Sequence, residues 1–210
     1  TQGFALRLAA QGAVDGLRID HPDGLYDPAQ YFRRLQEGYA RRAGIVLPEA
    51  DSAGRPARPL YVVAEKIAAG HEDVPESWAL HGTTGYRFAN VVNAVMVDTA
   101  ARQRFMQTWA RVTGERDGFD EVARRSKLEI MRGSLASELN VLASELLRIA
   151  RADRHTRDYT LASLRRALAD VVACLPVYRT YIIDQPSTQD RRYVEWAVRE
   201  GRAHSQDADL

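Results

Sequence analysis

The chain has 210 residues, of which 45% are hydrophobic and 27% charged, as in a soluble globular protein of about one to one and a half domains. Its 29 basic and 28 acidic side chains leave a formal net charge of +1, which speaks against a chain built mainly to grip nucleic acid or an anionic membrane. There is no run of eighteen apolar residues, and the single cysteine, Cys174, excludes an internal disulfide and a Cys-built zinc site.

In chain order, Phe4 to Ala10 reads as a short helix stopped at Gly12. In Gly16-Leu17-Arg18-Ile19-Asp20 the apolar residues alternate with charged ones, which predicts a short strand. His21-Pro22-Asp23-Gly24 reads as a loop. Asp27-Pro28 is an N-cap with proline at the first helical position, opening a helix to about Ala43 with Tyr31, Leu35 and Tyr39 on one face. Gly44 to Pro59 holds three prolines and two glycines and reads as a surface loop. Leu60 to Ala64 is continuously apolar, as in a buried parallel strand, and ends at Glu65-Lys66. Strand, helix and strand are spaced as one βαβ unit. Acidic residues at both C-terminal strand ends, Asp20 and Glu65, lie where α/β folds place their active sites.

Beyond Thr84 the pattern turns helical. Phe88, Val91, Val92, Val95 and Met96 form one repeat, and Ala101, Phe105, Trp109 and Val112 another. One long helix is expected from about Asp120 to Ala152, with a seam at Leu128, Met131, Leu135, Leu139, Leu142, Leu146 and Ile149 whose steps average 3.5. A helix carrying Leu161, Leu164, Leu168, Val171 and Leu175 stops at Pro176. Val177 to Ile183 is a third strand candidate. Ser187 with Asp190 caps a last helix through Glu200, and the tail from His204 to Leu210 is polar and frayed.

The fold class expected is therefore mostly α with a small parallel β element. Two parallel strands make no stable sheet alone, so the strands pair with other parts of a larger protein or the chain is a fragment.

Arg18 and Asp20, two apart on a strand, share a face, so the guanidinium can hold that carboxylate ionised. Glu65 ends an apolar strand, where burial would keep it protonated as a general acid. Two carboxyl groups in unlike environments suit glycoside chemistry. An Arg–Asp structural pair beside an unrelated exposed Glu fits the same spacing.

Gly16-Leu17-Arg18-Ile19-Asp20 resembles the strand-four motif of the α-amylase superfamily, glycoside hydrolase family 13. The longer string GLRIDHPDGLYDPAQYFRRL resembles its maltooligosyl trehalose synthase branch. YVVAEKI is similar to the strand-five motif of that branch. Glu76-Ser77-Trp78, His81-Gly82-Thr83-Thr84-Gly85-Tyr86, the Lys127 and Ala136-Ser137-Glu138-Leu139 region and Leu175-Pro176-Val177-Tyr178-Arg179-Thr180-Tyr181 resemble later blocks, in order over nearly all of the chain.

The resemblance implies a fragment of a (β/α)8 barrel, strands four and five, with an inserted helical subdomain. Its division is residues 1–86 as partial barrel, 87–176 as insertion and 177–210 as a return segment. Asp20 matches the nucleophile, Glu65 the general acid/base and Arg18 the residue that orients the nucleophile. His21, Asp23, Lys66, Trp78, Thr83, Thr84 and Tyr86 match substrate-lining positions. Trp78 and Tyr86 equally suit core aromatics, His21 a hydrogen-bonded loop residue and Lys66 a solvated charge. His71, Glu72 and Asp73 read as a solvated charged loop.

The implied reaction is intramolecular transglycosylation, converting the reducing-end α-1,4 bond of a maltooligosaccharide to an α,α-1,1 (trehalose) linkage, in the cytoplasm, with no cofactor and no metal. Retention of configuration requires the two carboxyl groups to lie about 5–5.5 Å apart. The family's barrel strands one to three and its third carboxylate have no counterpart in these 210 residues, so the isolated chain is expected to be inactive and its partner to be the remainder of the same barrel. Two rival readings are a helical binding or scaffold module, docking through the Leu128–Ile149 seam, and another α-glucan hydrolase or glucanotransferase of the superfamily.

Overall fold

Helix, strand and turn signals place most elements where the side-chain chemistry predicts them. In the computed structural model, which describes residues 2–205, the chain forms two compact units. The expected tail beyond Ser205 lies outside the described residues. One unit comprises Thr1–Val97 with Tyr181–Gln185, the other Asp98–Thr180 with Pro186–Leu210.

In the first unit, α1 (Gly3–Ala10) leads to β1 (Gly16–Ile19), a 3-10 turn over Pro22–Gly24, α2 (Pro28–Ala43), β2 (Tyr61–Ala64), β3 (Gly82–Thr83) and α3 (Tyr86–Val95). The Asp27 carboxylate accepts from the Gln30 N–H at 2.8 Å, with Pro28 at the first helical position. The sheet is parallel throughout, in the order β1-β2-β3, with Gly16 opposite Tyr61 and Ile19 opposite Ala64. Gly16 is required there, because a Cβ would sit 2.6 Å from the Tyr61 carbonyl oxygen. The third strand is Gly82–Thr83, and Val177–Ile183 is irregular. That apolar run held the strand pattern, but it finds no hydrogen-bonding edge among the described residues.

Phe32, Leu35, Leu60, Val62, Trp78 and Leu80 form the core beside the sheet, each worth about 1.5–3 kcal/mol when fully buried. Phe32, rather than Tyr31 or Tyr39, sits deepest on α2. Gln36, also buried, donates its Nε2 to the carbonyls of Leu60 and Ala79 and accepts from the Leu60 N–H, all at 2.9 Å. One amide thereby satisfies three backbone groups and fixes α2 against β2.

The second unit is helical: α4 (Arg102–Thr113), α5 (Phe119–Arg132), α6 (Ala136–Ala152), α7 (Leu161–Ala173) and α8 (Thr188–His204). The one long helix expected is two, broken at Gly133, whose φ of −106° and ψ of −97° leave the helical region. A glycine followed by serine is a weak point in a helix, and packing against α7 lets α5 and α6 take separate directions. The seam breaks with it: Met131 and Leu139 are buried, while Leu135, Leu142 and Ile149 are exposed. Thr160 and Ser187 open α7 and α8 with reciprocal capping boxes. Lys127 donates to the carbonyls of Ala173 and Leu175 at 3.2 and 3.4 Å, closing the C-terminal end of α7.

Candidate active site

β1 and β2 end in step, Ile19 opposite Ala64, so the next residue of each strand emerges beside its neighbour. Those residues are Asp20 and Glu65. The Glu65 N–H still donates to the Ile19 carbonyl at 2.8 Å, which holds the two strand ends together. The Arg18 side chain, on the same face as Asp20, donates to Asp20 Oδ1 at 2.6 Å and lies 3.3 Å from Glu65 Oε1. One guanidinium therefore spans both carboxyl groups. Glu65 also accepts from the His21 N–H at 3.4 Å and from the Tyr86 hydroxyl at 3.1 Å.

The Asp20 carboxyl is held below the usual carboxylate range, first by its hydrogen bond with the Glu65 carboxyl and then by Arg18. Hydrogen bonding to Glu65, and the charge there, push the Tyr86 hydroxyl up. The Asp20 side chain is 70% exposed and that of Glu65 27% exposed, so the deep burial expected for Glu65 is not supplied by this chain.

His21 takes the left-handed conformation, φ 42°, which turns the chain away from β1 immediately after Asp20. Its ring lies over Gly24, where a Cβ would come within 2.8 Å of it.

The Lys66 and Trp78 side chains are buried within the first unit. The Lys66 side chain is 0% exposed, and it pairs with Glu72 at 2.8 Å and Asp23 at 3.5 Å, whose side chains are 5% and 10% exposed. An ammonium in an apolar interior is tolerable only when paired, and removing one member of such a pair costs about 3–5 kcal/mol. The Tyr181 hydroxyl donates to Asp23, and its ring lies 5.4 Å from the Lys66 nitrogen and 5.0 Å, edge-on, from the Trp78 ring. Trp78 also packs on Phe32, so both of its neighbours are aromatic core residues. His71 and Asp73 are exposed, as in a solvated charged loop, while Glu72 between them and Lys66 are buried, because burial depends on tertiary neighbours that charge alone does not reveal. Glu72 and Tyr181 were missed as site-associated residues. Thr83 pairs in the sheet with Ala64, and the Thr84 N–H donates to the Ala64 carbonyl at 3.1 Å.

A cavity of about 750 Å³ lies in the second unit, apart from these carboxyls. Arg124 and Arg125 on its wall are already paired, with Glu121 at 2.8 Å and with Glu115 and Asp117 at 2.8 and 2.7 Å.

No protein-family model matches the chain. Two curated proteins, from two strains of Mycobacterium tuberculosis and provisionally named maltooligosyl trehalose synthase, are each 28% identical over 160 residues, 76% of this chain. The solved maltooligosyltrehalose synthase of Arthrobacter ramosus is 31% identical over 98% of the chain, with a TM-score of 0.72. The chain is homologous to one stretch of maltooligosyl trehalose synthase. A solved glycosyltrehalose synthase also matches 90% of the chain, at 26% identity and a TM-score of 0.64. The chain spans about a fifth of these relatives' length, 19% of the curated maltooligosyl trehalose synthases and 23% of the Arthrobacter structure. No described helix is long and apolar enough to cross a membrane.

Proposed function

We propose that these residues form part of a maltooligosyl trehalose synthase, with β1 and β2 as strands four and five of its (β/α)8 barrel, residues 87–176 as its inserted helical subdomain and residues 177–210 as the return segment. The observation that carries this reading is the Arg18 guanidinium spanning Asp20 and Glu65 at the C-terminal ends of adjacent parallel strands. Asp20, kept ionised, attacks the anomeric carbon of the penultimate glucose, and the reducing-end α-1,4 bond breaks as Glu65 protonates its oxygen. The freed glucose turns and attacks the glycosyl-enzyme through its anomeric hydroxyl, whose proton Glu65 takes back. The product ends in an α,α-1,1 linkage. His21, Thr83, Thr84 and Tyr86 border the sugar sites. The enzyme is cytoplasmic and uses neither metal nor cofactor. The remaining barrel strands close the pocket and exclude water, without which hydrolysis prevails. Alone, the 210 residues turn nothing over.

The test grafts the chain in place of its counterpart in the Arthrobacter enzyme and feeds the chimera maltopentaose. A non-reducing product, lost with Asp20→Asn and with Glu65→Gln, is expected. A folded chimera that releases only reducing sugars overturns the reading in favour of an α-glucan hydrolase or glucanotransferase. Turnover by the isolated chain, above its Glu65→Gln control, overturns the expectation of inactivity.

A further inference from the structure

Lys66 directly follows Glu65, and its side chain goes inward where Glu65 emerges at the strand end. It meets two segments distant in sequence, Asp23 in the 3-10 turn that follows Asp20 and His21 and the ring of Tyr181 on the return segment, and also Glu72, six residues on in its own loop after β2. Tyr181 in turn bonds Asp23, so the cluster closes on itself. The Glu72 carboxylate also accepts from the Ala69 N–H at 3.2 Å, bracing the loop that leaves β2.

We propose that Lys66 is a positioning residue: its buried ammonium ties the loop after Asp20 to the loop after Glu65 and so sets the spacing of the two carboxyl groups. The value of that spacing to catalysis rests on Asp20 and Glu65 being the nucleophile and the acid/base. The spacing itself is a property of this chain. Only His21 and Pro22 separate Asp23 from Asp20, and the left-handed His21 leaves little slack for Asp20 to drift while Asp23 stays anchored. On the other strand Lys66 is adjacent to Glu65. Loss of the anchor therefore moves both carboxyls at once.

The chain itself, without substrate, suffices for the test. Asp20 is followed by carboxyl 13C NMR across acid pH in the parent, Lys66→Met and Glu72→Gln. If Lys66 acts only through its charge, the two variants shift Asp20 in opposite directions, since one removes a positive and the other a negative charge. If it acts by position, both loosen the Asp20–Glu65 contact and both raise the Asp20 midpoint, by about half a pH unit or more. Opposite shifts, or lower melting temperature with Asp20 unmoved, overturn the proposal. Should Lys66→Met fail to fold, Glu72→Gln decides alone: an upward shift supports positioning, and a downward shift or none overturns it. Should both fail, Tyr181→Phe, which removes only the hydroxyl on Asp23, is read in the same way. None of these outcomes depends on which product the chimera makes.

Discussion

At the scale of single residues, Arg18 is the group on which the site's electrostatics turn. It donates to Asp20 and faces Glu65, so its removal leaves two neighbouring carboxyls without their shared cation. Arg18→Gln is expected to move the Asp20 titration upward, toward the ordinary carboxylate value, in the same carboxyl NMR experiment; an unmoved midpoint refutes the bridge. The sign for stability follows. Asp20 titrates lower folded than unfolded, so its contribution is complete above the unfolded value and is lost as pH falls through the folded one. Denaturation midpoints of the parent and Arg18→Gln should therefore converge as the solution is acidified below the carboxylate range. Arg18, Asp20 and Glu65 were legible because period-two alternation fixes which side chains share a face and strand ends fix which emerge together. Lys66, Glu72 and Tyr181 were not legible as a cluster. Their union joins positions over a hundred residues apart, and a charged residue after an apolar strand carries no mark of being buried.

At the scale of elements, local chemistry was read well where the signal was local. The Asp27-Pro28 start of α2 and the Ser187–Asp190 start of α8 appear as capping interactions at 2.8 and 3.1 Å. Ser187→Ala should cost about 1 kcal/mol and speed amide exchange in the first turn of α8, with α5 unaffected. The break between α5 and α6 was missed because the apolar steps run through Gly133 without losing their period. The non-helical backbone at Gly133 and the packing of both halves on α7 separate them. Gln36 shows the converse, a polar residue on the buried face of α2 that no hydrophobic count would place inside. Replacing it by leucine keeps the volume but strands the Leu60 N–H and the carbonyls of Leu60 and Ala79. Each unsatisfied group costs about 1–3 kcal/mol, so Gln36→Leu should lower stability by about 3 kcal/mol or more in urea unfolding of the first unit. A variant as stable as the parent would show that these bonds are replaced by water.

At the scale of the whole molecule, each of the two units carries large apolar side chains on its surface. No residue of α3 is buried, and Phe88 and Val95 are 73% and 79% exposed. In the second unit, Phe105 and Trp109 on α4 and Val141, Leu142 and Ile149 on α6 are also exposed. Large apolar side chains exposed together along a helix face suit a contact surface. The helical patterns of α3 and α4 were correctly read from sequence, but the partner their faces need was not visible there, because amphipathicity gives a direction and no neighbour. The isolated chain is expected to bind a dye that reports exposed apolar surface, and to associate as its concentration rises in light scattering. Phe88→Glu combined with Val95→Lys should reduce both while leaving the far-ultraviolet circular dichroism unchanged, because both side chains are mostly exposed and no buried residue of α3 is disturbed. Leu135→Gln with Leu142→Gln tests the second unit in the same way. If association vanishes only with the second pair, the α6 face rather than α3 is the adhesive surface, and the helical subdomain gains weight as a docking module. A parent chain that stays monomeric and binds no dye would mean that these faces are covered within the chain itself.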